Sequence, residues 1–219
     1  MSALARFLRT GPVALIASLM FIQLAVMSAP TSAYAQSMSA KDFVQKLGDD
    51  AIKQLTDKTI PNNERVKRMR VLLRSSFNEA AVAKFVLGTA FARTSNDQFK
   101  EFQRLYEIVV AHNYAGLFKR YSGETFTVKG EQAQNETTTK VIAQINQTNG
   151  APPIPVELQI DKDDSSWKAT DIKVDGVSMP QTHRKEYASV INRSSNGVEG
   201  LLEALRTKAK QLEADEPSE

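Results

Sequence analysis

Reactive side chains are scarce in this sequence, and their spacing suits little catalytic chemistry. His112 and His183 are its two histidines, and it has no cysteine. Zinc sites draw on histidine, cysteine and carboxylate ligands at short spacings, and neither histidine falls in an H-x-x-x-H or H-E-x-x-H pattern. No metal site and no cofactor are expected. His183 is followed by Arg184, Lys185 and Glu186 on a helical stretch, which reads as a solvated surface position. His112, beside Asn113, reads as packing at the edge of a core. Asp171 and Asp175 have no second reactive group with them, so turn and register outweigh acid–base work. The G-x-S-x-G elbow, the G-x-x-x-x-G-K-[ST] loop and the G-x-G-x-x-G turn are absent. No catalytic residue is assigned. A small enzyme built around a cavity, with His112 and Asp171 as its candidates, stands as the alternative.

A second group is charged without being reactive. Arg65, Lys67, Arg68, Arg70 and Arg74 share a helical stretch with the apolar stripe Val66, Met69, Leu73 and Phe77. A solvated helix face explains such a run. Docking on lipid head groups or on an acidic partner, through Arg65, Arg68 and Arg70, is the functional reading.

The N-terminus gives these groups an address. Arg6 and Arg9 precede an apolar run from Val13 to Val26, followed by Ser32-Ala33-Tyr34-Ala35. That order is a signal peptide, residues 1–35, with cleavage after Ala35. The fourteen residues of this run (13 to 26) at about 1.5 Å each span roughly 21 Å, short of a roughly 30 Å hydrocarbon core. A membrane anchor is thus the weaker reading, and without cysteine no acylated tether is available. Removing 35 of 219 residues leaves 184, and losing two arginines lowers the formal charge from +3 to +1. The remainder can form one domain with a sizeable core, and a nucleic-acid partner is not implied. Without disulfides, stability must come from ordinary apolar packing, which favours a bacterial periplasm.

Apolar periodicity supplies the elements. Phe43, Leu47, Ala51, Ile52 and Leu55 mark a helix after an N-cap at Ser39, and Val66 to Phe77 mark a second. Ala80 to Leu87 make a third, ended by Gly88. Ser95-Asn96-Asp97-Gln98 fits a capping box opening the longest helix, which runs through Phe102, Tyr106, Val109 and Leu117 to Tyr121, with a Ser122-Gly123 stop. Alternation then replaces the helical period. Phe126 and Val128 share a face of one strand, Val141, Ala143 and Ile145 of a second, and Val156, Leu158 and Ile160 of a third. Pro155 cannot donate to a ladder, so the third strand is expected at an edge or with Pro155 at a non-hydrogen-bonded site. Trp167 to Val174 form a fourth strand, closed by an Asp175-Gly176 turn. Helices from Pro180 and from Gly197 follow, and 214–219 read as an acidic tail. Helices, a four-strand meander, then helices make an α+β layout with a sheet covered on one face. The aromatic residues on its flanking elements fit a core better than a ligand site on periodicity alone.

Certain residues carry a resemblance. Leu87-Gly88, Phe91-Ala92-Arg93-Thr94-Ser95, Gln98, Phe102, Tyr114, Leu117, Tyr121 and Gly123 are followed by Trp167-Lys168-Ala169-Thr170-Asp171 and Asp175-Gly176-Val177-Ser178-Met179. In that order, over roughly Ser39 to Leu212, the chain resembles the MlaC family, also called the toluene-tolerance auxiliary proteins. Phe91 stands where many relatives carry tryptophan. The resemblance implies an NTF2-like curved antiparallel sheet of about four strands, packed with helices around an apolar pocket, over residues 36–213. It also implies a monomeric periplasmic phospholipid shuttle without enzymatic activity that helps maintain outer-membrane lipid asymmetry. The implied partners are an outer-membrane lipoprotein complex and an inner-membrane MCE-domain protein of an ABC transporter. A hopanoid is the alternative cargo on the same scaffold.

The physical demand on such a carrier is large. At about 0.8 kcal/mol per buried CH₂, a sixteen-carbon chain costs on the order of 12 kcal/mol to bring into water. The inward faces of the strands are the expected surface for it, through Phe126, Val128, Val141, Ile145, Val156, Leu158 and Ile160. Phe102, Val109, Leu117 and Tyr121 of the long helix complete the expected lining.

Overall fold

The computed structural model describes residues 38–163 and 166–214. The signal assigned to 1–35 and the tail from 215 lie outside the described residues. Helix α1 (Ala40–Leu55) starts where Ser39 accepts a hydrogen bond from the Asp42 N–H at 3.1 Å. Helix α2 (Asn62–Ser76) is followed by α3 (Glu79–Leu87), capped by Asn78. Gly88 has φ +56°, a left-handed backbone that ends α3 and opens a 3-10 stretch, Gly88–Arg93. Helix α4 (Asn96–Ala115) opens on the capping box formed by Ser95 and Gln98. The helix expected to reach Tyr121 stops at Ala115 and tightens into a 3-10 turn, Gly116–Arg120. Such tightening gives the last carbonyls partners three residues on, as Phe118 O has in Tyr121 N–H at 3.3 Å.

The sheet is a five-stranded antiparallel meander in the order β1-β2-β3-β4-β5. Its strands are β1 (Thr125–Ala133), β2 (Thr138–Asn146), β3 (Ile154–Asp163), β4 (Ser166–Val174) and a short β5 (Val177–Ser178). The fifth strand escapes periodicity because two residues show no alternation. Asp175 and Gly176, at φ 51° and 76°, form the tight turn that returns it to β4. Strand β3 is central, so the edge position for Pro155 is overturned. Pro155 O accepts from Asp175 N–H at 2.9 Å on the β4 side. Its missing N–H faces that same side, where β4 has already turned away, so no ladder bond is lost.

Helix α1 lies over β1 and β2. Gln45 on α1 accepts from Val128 N–H at 3.0 Å and donates to Phe126 O at 3.2 Å. Its amide thereby satisfies backbone groups on the open edge of β1. Val128 and Gly130 flank a bulge in this strand; bulges bend a strand and increase its twist. Helices α5 (Met179–Arg193) and α6 (Val198–Ala214) close the fold, α5 capped by the Ser178 hydroxyl. Ala214, placed by sequence in the tail, is the last residue of α6.

Apolar packing is concentrated in two main layers. Phe102, Leu105 and Ile108 of α4 meet Val82 and Val86 of α3 and Leu201, Leu202 and Leu205 of α6. Ala40 and Val44 of α1 cover Val128, Val141, Ala143, Ile160 and Ala169 of the sheet. Cross-strand pairs Val141 with Leu158 and Ala143 with Val156 stack the apolar residues of that inner face.

Candidate functional site

Between the sheet, α1, α2 and α4 lies a cavity of about 640 Å³, inside the roughly 300–1,000 Å³ range of ligand pockets. Its floor is Ile145, Ile154, Val156, Leu158, Ile172 and Val174. Val44, Leu47, Ala51 and Ile52 of α1 and Met69, Leu72 and Leu73 of α2 form side walls. Tyr106, Val110 and Tyr114, four residues apart on α4, present one helical face to it. Leu117, Phe118 and Tyr121 extend that face through the 3-10 turn, and Met179, Pro180 and His183 come from α5. Gly48 is required on α1 because any Cβ there would overlap the ring of Phe126.

Charged residues lie around this apolar lining. Arg104, Glu79 and Glu107 contribute near α4, and Arg120 and Glu124 near the start of β1. Glu107 accepts from Arg70 Nε at 2.8 Å and from Arg74 Nη2 at 3.0 Å, linking α2 to α4. Burial acts to raise the Glu107 carboxyl, but the hydrogen bonds from Arg70 and Arg74 hold it below the usual glutamate range. Glu79 is raised, first by burial and then by the charge of Glu107. Glu124 is lowered by hydrogen bonds centred on Ser122, whose N–H donates to it at 2.7 Å.

One polar group sits among the apolar side chains. His183 Nδ1 lies 2.7 Å from the Tyr106 hydroxyl, and its Nε2 lies 3.4 Å from that of Tyr114. Tyr114 donates to Met179 Sδ at 3.1 Å. Tyr187 stacks on the far side of the imidazole with 13° between the planes. Burial lowers the His183 pKa, with the charge of Glu186 pulling the other way, which favours the neutral ring. Burial likewise pushes the Tyr106 and Tyr114 hydroxyls up.

Of the expected lining, Leu117, Tyr121, Phe126, Ile145, Val156 and Leu158 are on the wall. Phe102 and Val109 are not: they occupy the adjoining face of α4, packed in the layer shared with α6. Val128, Val141 and Ile160 face inward, but the N-terminal end of α1 covers them before the cavity begins. The docking role for Arg65 is corrected. Arg65 is 2% exposed and donates to Leu55 O at 2.8 Å and Asp57 O at 2.6 Å, tying down the end of α1. Arg68 bonds Glu64 and Gln54 O, and Arg70 bonds Glu107. His183 is no solvated surface residue, since it turns toward α4. Asp171 accepts from Ser178 Oγ at 2.8 Å across the β4–β5 hairpin. The stripe Tyr106, Val110, Tyr114 and Phe118, spaced by four along the chain, is the sequence signal for this part of the wall. Among the described residues, no group of three or more His, Cys, Asp or Glu is arranged to hold a metal.

Helices laid on one face of an antiparallel sheet around a deep apolar cavity define an α+β cavity protein. Residues 45–207 match the MlaC protein family, and the chain belongs to it. It is similar to the intermembrane phospholipid transport system binding protein MlaC of Haemophilus influenzae, with 27% identity over 186 residues, 84% of this chain and 85% of the relative. The toluene tolerance protein ttg2D of Pseudomonas putida is 21% identical over 140 residues, 62% of this chain and 65% of that one. A phospholipid-binding protein from Ralstonia solanacearum, solved in complex with a phospholipid, shares the fold with a TM-score of 0.72 at 20% identity. The match covers 80% of this chain and 99% of that structure.

Proposed function

We propose that this protein is a periplasmic phospholipid carrier that shields acyl chains in its cavity and exchanges them with membrane complexes. The observation that carries this reading is the cavity of about 640 Å³, apolar on its floor and walls and bounded by charged residues. A carrier must offset on the order of 12 kcal/mol for each sixteen-carbon chain held away from a membrane, and only apolar surface can do so. A charged rim leaves a head group hydrated. Membership of the MlaC family and the phospholipid named for its relatives support the cargo class.

Read as an export signal, residues 1–35 support a periplasmic carrier. Its partners are then an outer-membrane lipoprotein complex as one terminus and an MCE-domain protein of an inner-membrane ABC transporter as the other, in service of outer-membrane lipid asymmetry. The reading assigns no catalytic step. The test is native mass spectrometry of protein purified from the periplasm, followed by lipid extraction. Stoichiometric diacyl phospholipid is the expected result. A hopanoid would change the cargo class, and lipid-free protein that takes up no phospholipid from vesicles would refute the carrier.

A further inference from the structure

The polar group on the cavity wall is unexplained by a carrier of acyl chains alone. Hydroxyl and imidazole groups facing an apolar ligand lose water without gaining a partner, which is unfavourable unless they bond one another or the ligand. Their mutual bonds can be drawn in two ways. A phenol has one proton and two acceptor sites, and a neutral imidazole has one proton and one acceptor site. When Tyr106 donates to Nδ1 and Nε2–H points to Tyr114, the Tyr114 proton goes to Met179 Sδ, and all three protons are used. Shifting the imidazole proton to Nδ1 reverses the short 2.7 Å contact, so that the ring donates to Tyr106. That shift gives up only the long 3.4 Å contact with Tyr114 and frees the Tyr106 proton for a ligand.

Position and charge define what that ligand group is. Tyr106 lies within one turn of Gln103, Arg104 and Glu107, which line the same cavity, so it marks the border between charged rim and apolar interior. A glycerolipid has such a border of its own, where ester carbonyls separate the head group from the chains. Burial favours the neutral imidazole, and the groups it contacts are phenol hydroxyls, so the site suits an uncharged acceptor, whereas a phosphate would call for a cation.

We propose, on the footing of the phospholipid-carrier reading, that the Tyr106 hydroxyl, steered by His183, donates a hydrogen bond to an ester carbonyl of the cargo. Tyr106 thereby sets the depth at which the lipid sits and favours ester-linked over ether-linked chains. His183 is a positioning residue, held by its stack on Tyr187 and its place one turn after Met179.

The experiment measures binding of dipalmitoyl phosphatidylglycerol and its dihexadecyl ether analogue to delipidated protein, wild type and Tyr106→Phe. The phenylalanine keeps the ring that stacks on Phe102 at 5.6 Å, and its binding of the ether lipid reports an intact cavity. Wild type should favour the ester by about threefold to tenfold, the scale of one hydrogen bond. Tyr106→Phe should bind both lipids alike, losing the preference for the ester. Equal affinities in wild type, or a preference that survives in the variant, would overturn the subsite while leaving the carrier standing. Failure of wild type to bind either lipid would overturn the carrier and the subsite together.

Discussion

The two faces of α4 carry similar residues and meet opposite fates. One face, with Phe102, Leu105 and Ile108 at 0%, 1% and 4% exposure, is filled against α3 and α6. The other, with Tyr106, Val110 and Tyr114, looks into the cavity. Apolar character alone therefore does not distinguish a core from a binding site. The difference lies in whether a neighbouring element comes close enough to fill the space. Helix α6 does so on one side; on the other, α1 covers only one end of the sheet and leaves the rest open.

The contrast can be broken at its filled face first. Phe102→Ala should lose about 3–5 kcal/mol of stability in urea unfolding, because a void opens in close-packed surroundings. A much smaller loss would mean this face is not packed as described. Next in size is removal of the cargo. Delipidated protein should be less stable by about 2.7 kcal/mol than protein with free lipid at a hundred times its dissociation constant, as read in a thermal melt. Phe102→Ala should keep most of that increment, because Phe102 backs the wall residue Tyr106 without lining the cavity itself.

Overfilling the open side gives the third test. In Gly48→Leu the new side chain drives the Phe126 ring toward the cavity, at about 1–3 kcal/mol of strain. Lipid affinity should fall by about tenfold for each 1.4 kcal/mol of that strain that the lipid-bound state alone carries, and titration with a fluorescent phospholipid would show this. Unchanged affinity would place the ring's escape route elsewhere.

The rim responds to acid. Glu107 is held below the usual glutamate value of about 4.3, despite its burial, by Arg70 and Arg74. The stability it contributes is therefore full above that value and lost as the pH falls through its lowered value in the folded protein. Urea midpoints of wild type and Glu107→Gln should differ at pH 7, on the order of 1 kcal/mol for so partly screened a pair, and converge in acid. A gap that widens on acidification would reverse the assignment. Smallest of all is Val110→Ala, which should change the stability of lipid-free protein by about 0.5 kcal/mol, as at surface positions. A loss near that of Phe102→Ala would erase the distinction between the two faces.

Local chemistry made much of this fold legible. Ser39 and Ser95 cap α1 and α4, Gly88 ends α3, and the Asp175-Gly176 turn folds the end of β4 back, because each is decided within a few residues. The alternation in β2 and β3 likewise shows which side chains face inward. Six of the eleven expected lining residues line the cavity. The other five are equally apolar and inward-facing, and they miss it only because α1 or α6 lies against them.

His183 and Arg65 show the same limit from the polar side. Charged neighbours in sequence made His183 look solvated and Arg65 look available, yet one turns to Tyr106 across α4 and the other to the carbonyls closing α1. The sequence by itself determined the elements, their caps and the face of each strand that is apolar, since these depend on residues close along the chain. Only the tertiary structure decided which face of α4 is core and which is cavity. That choice depends on the distance between elements far apart in sequence, and periodicity carries no information about that distance.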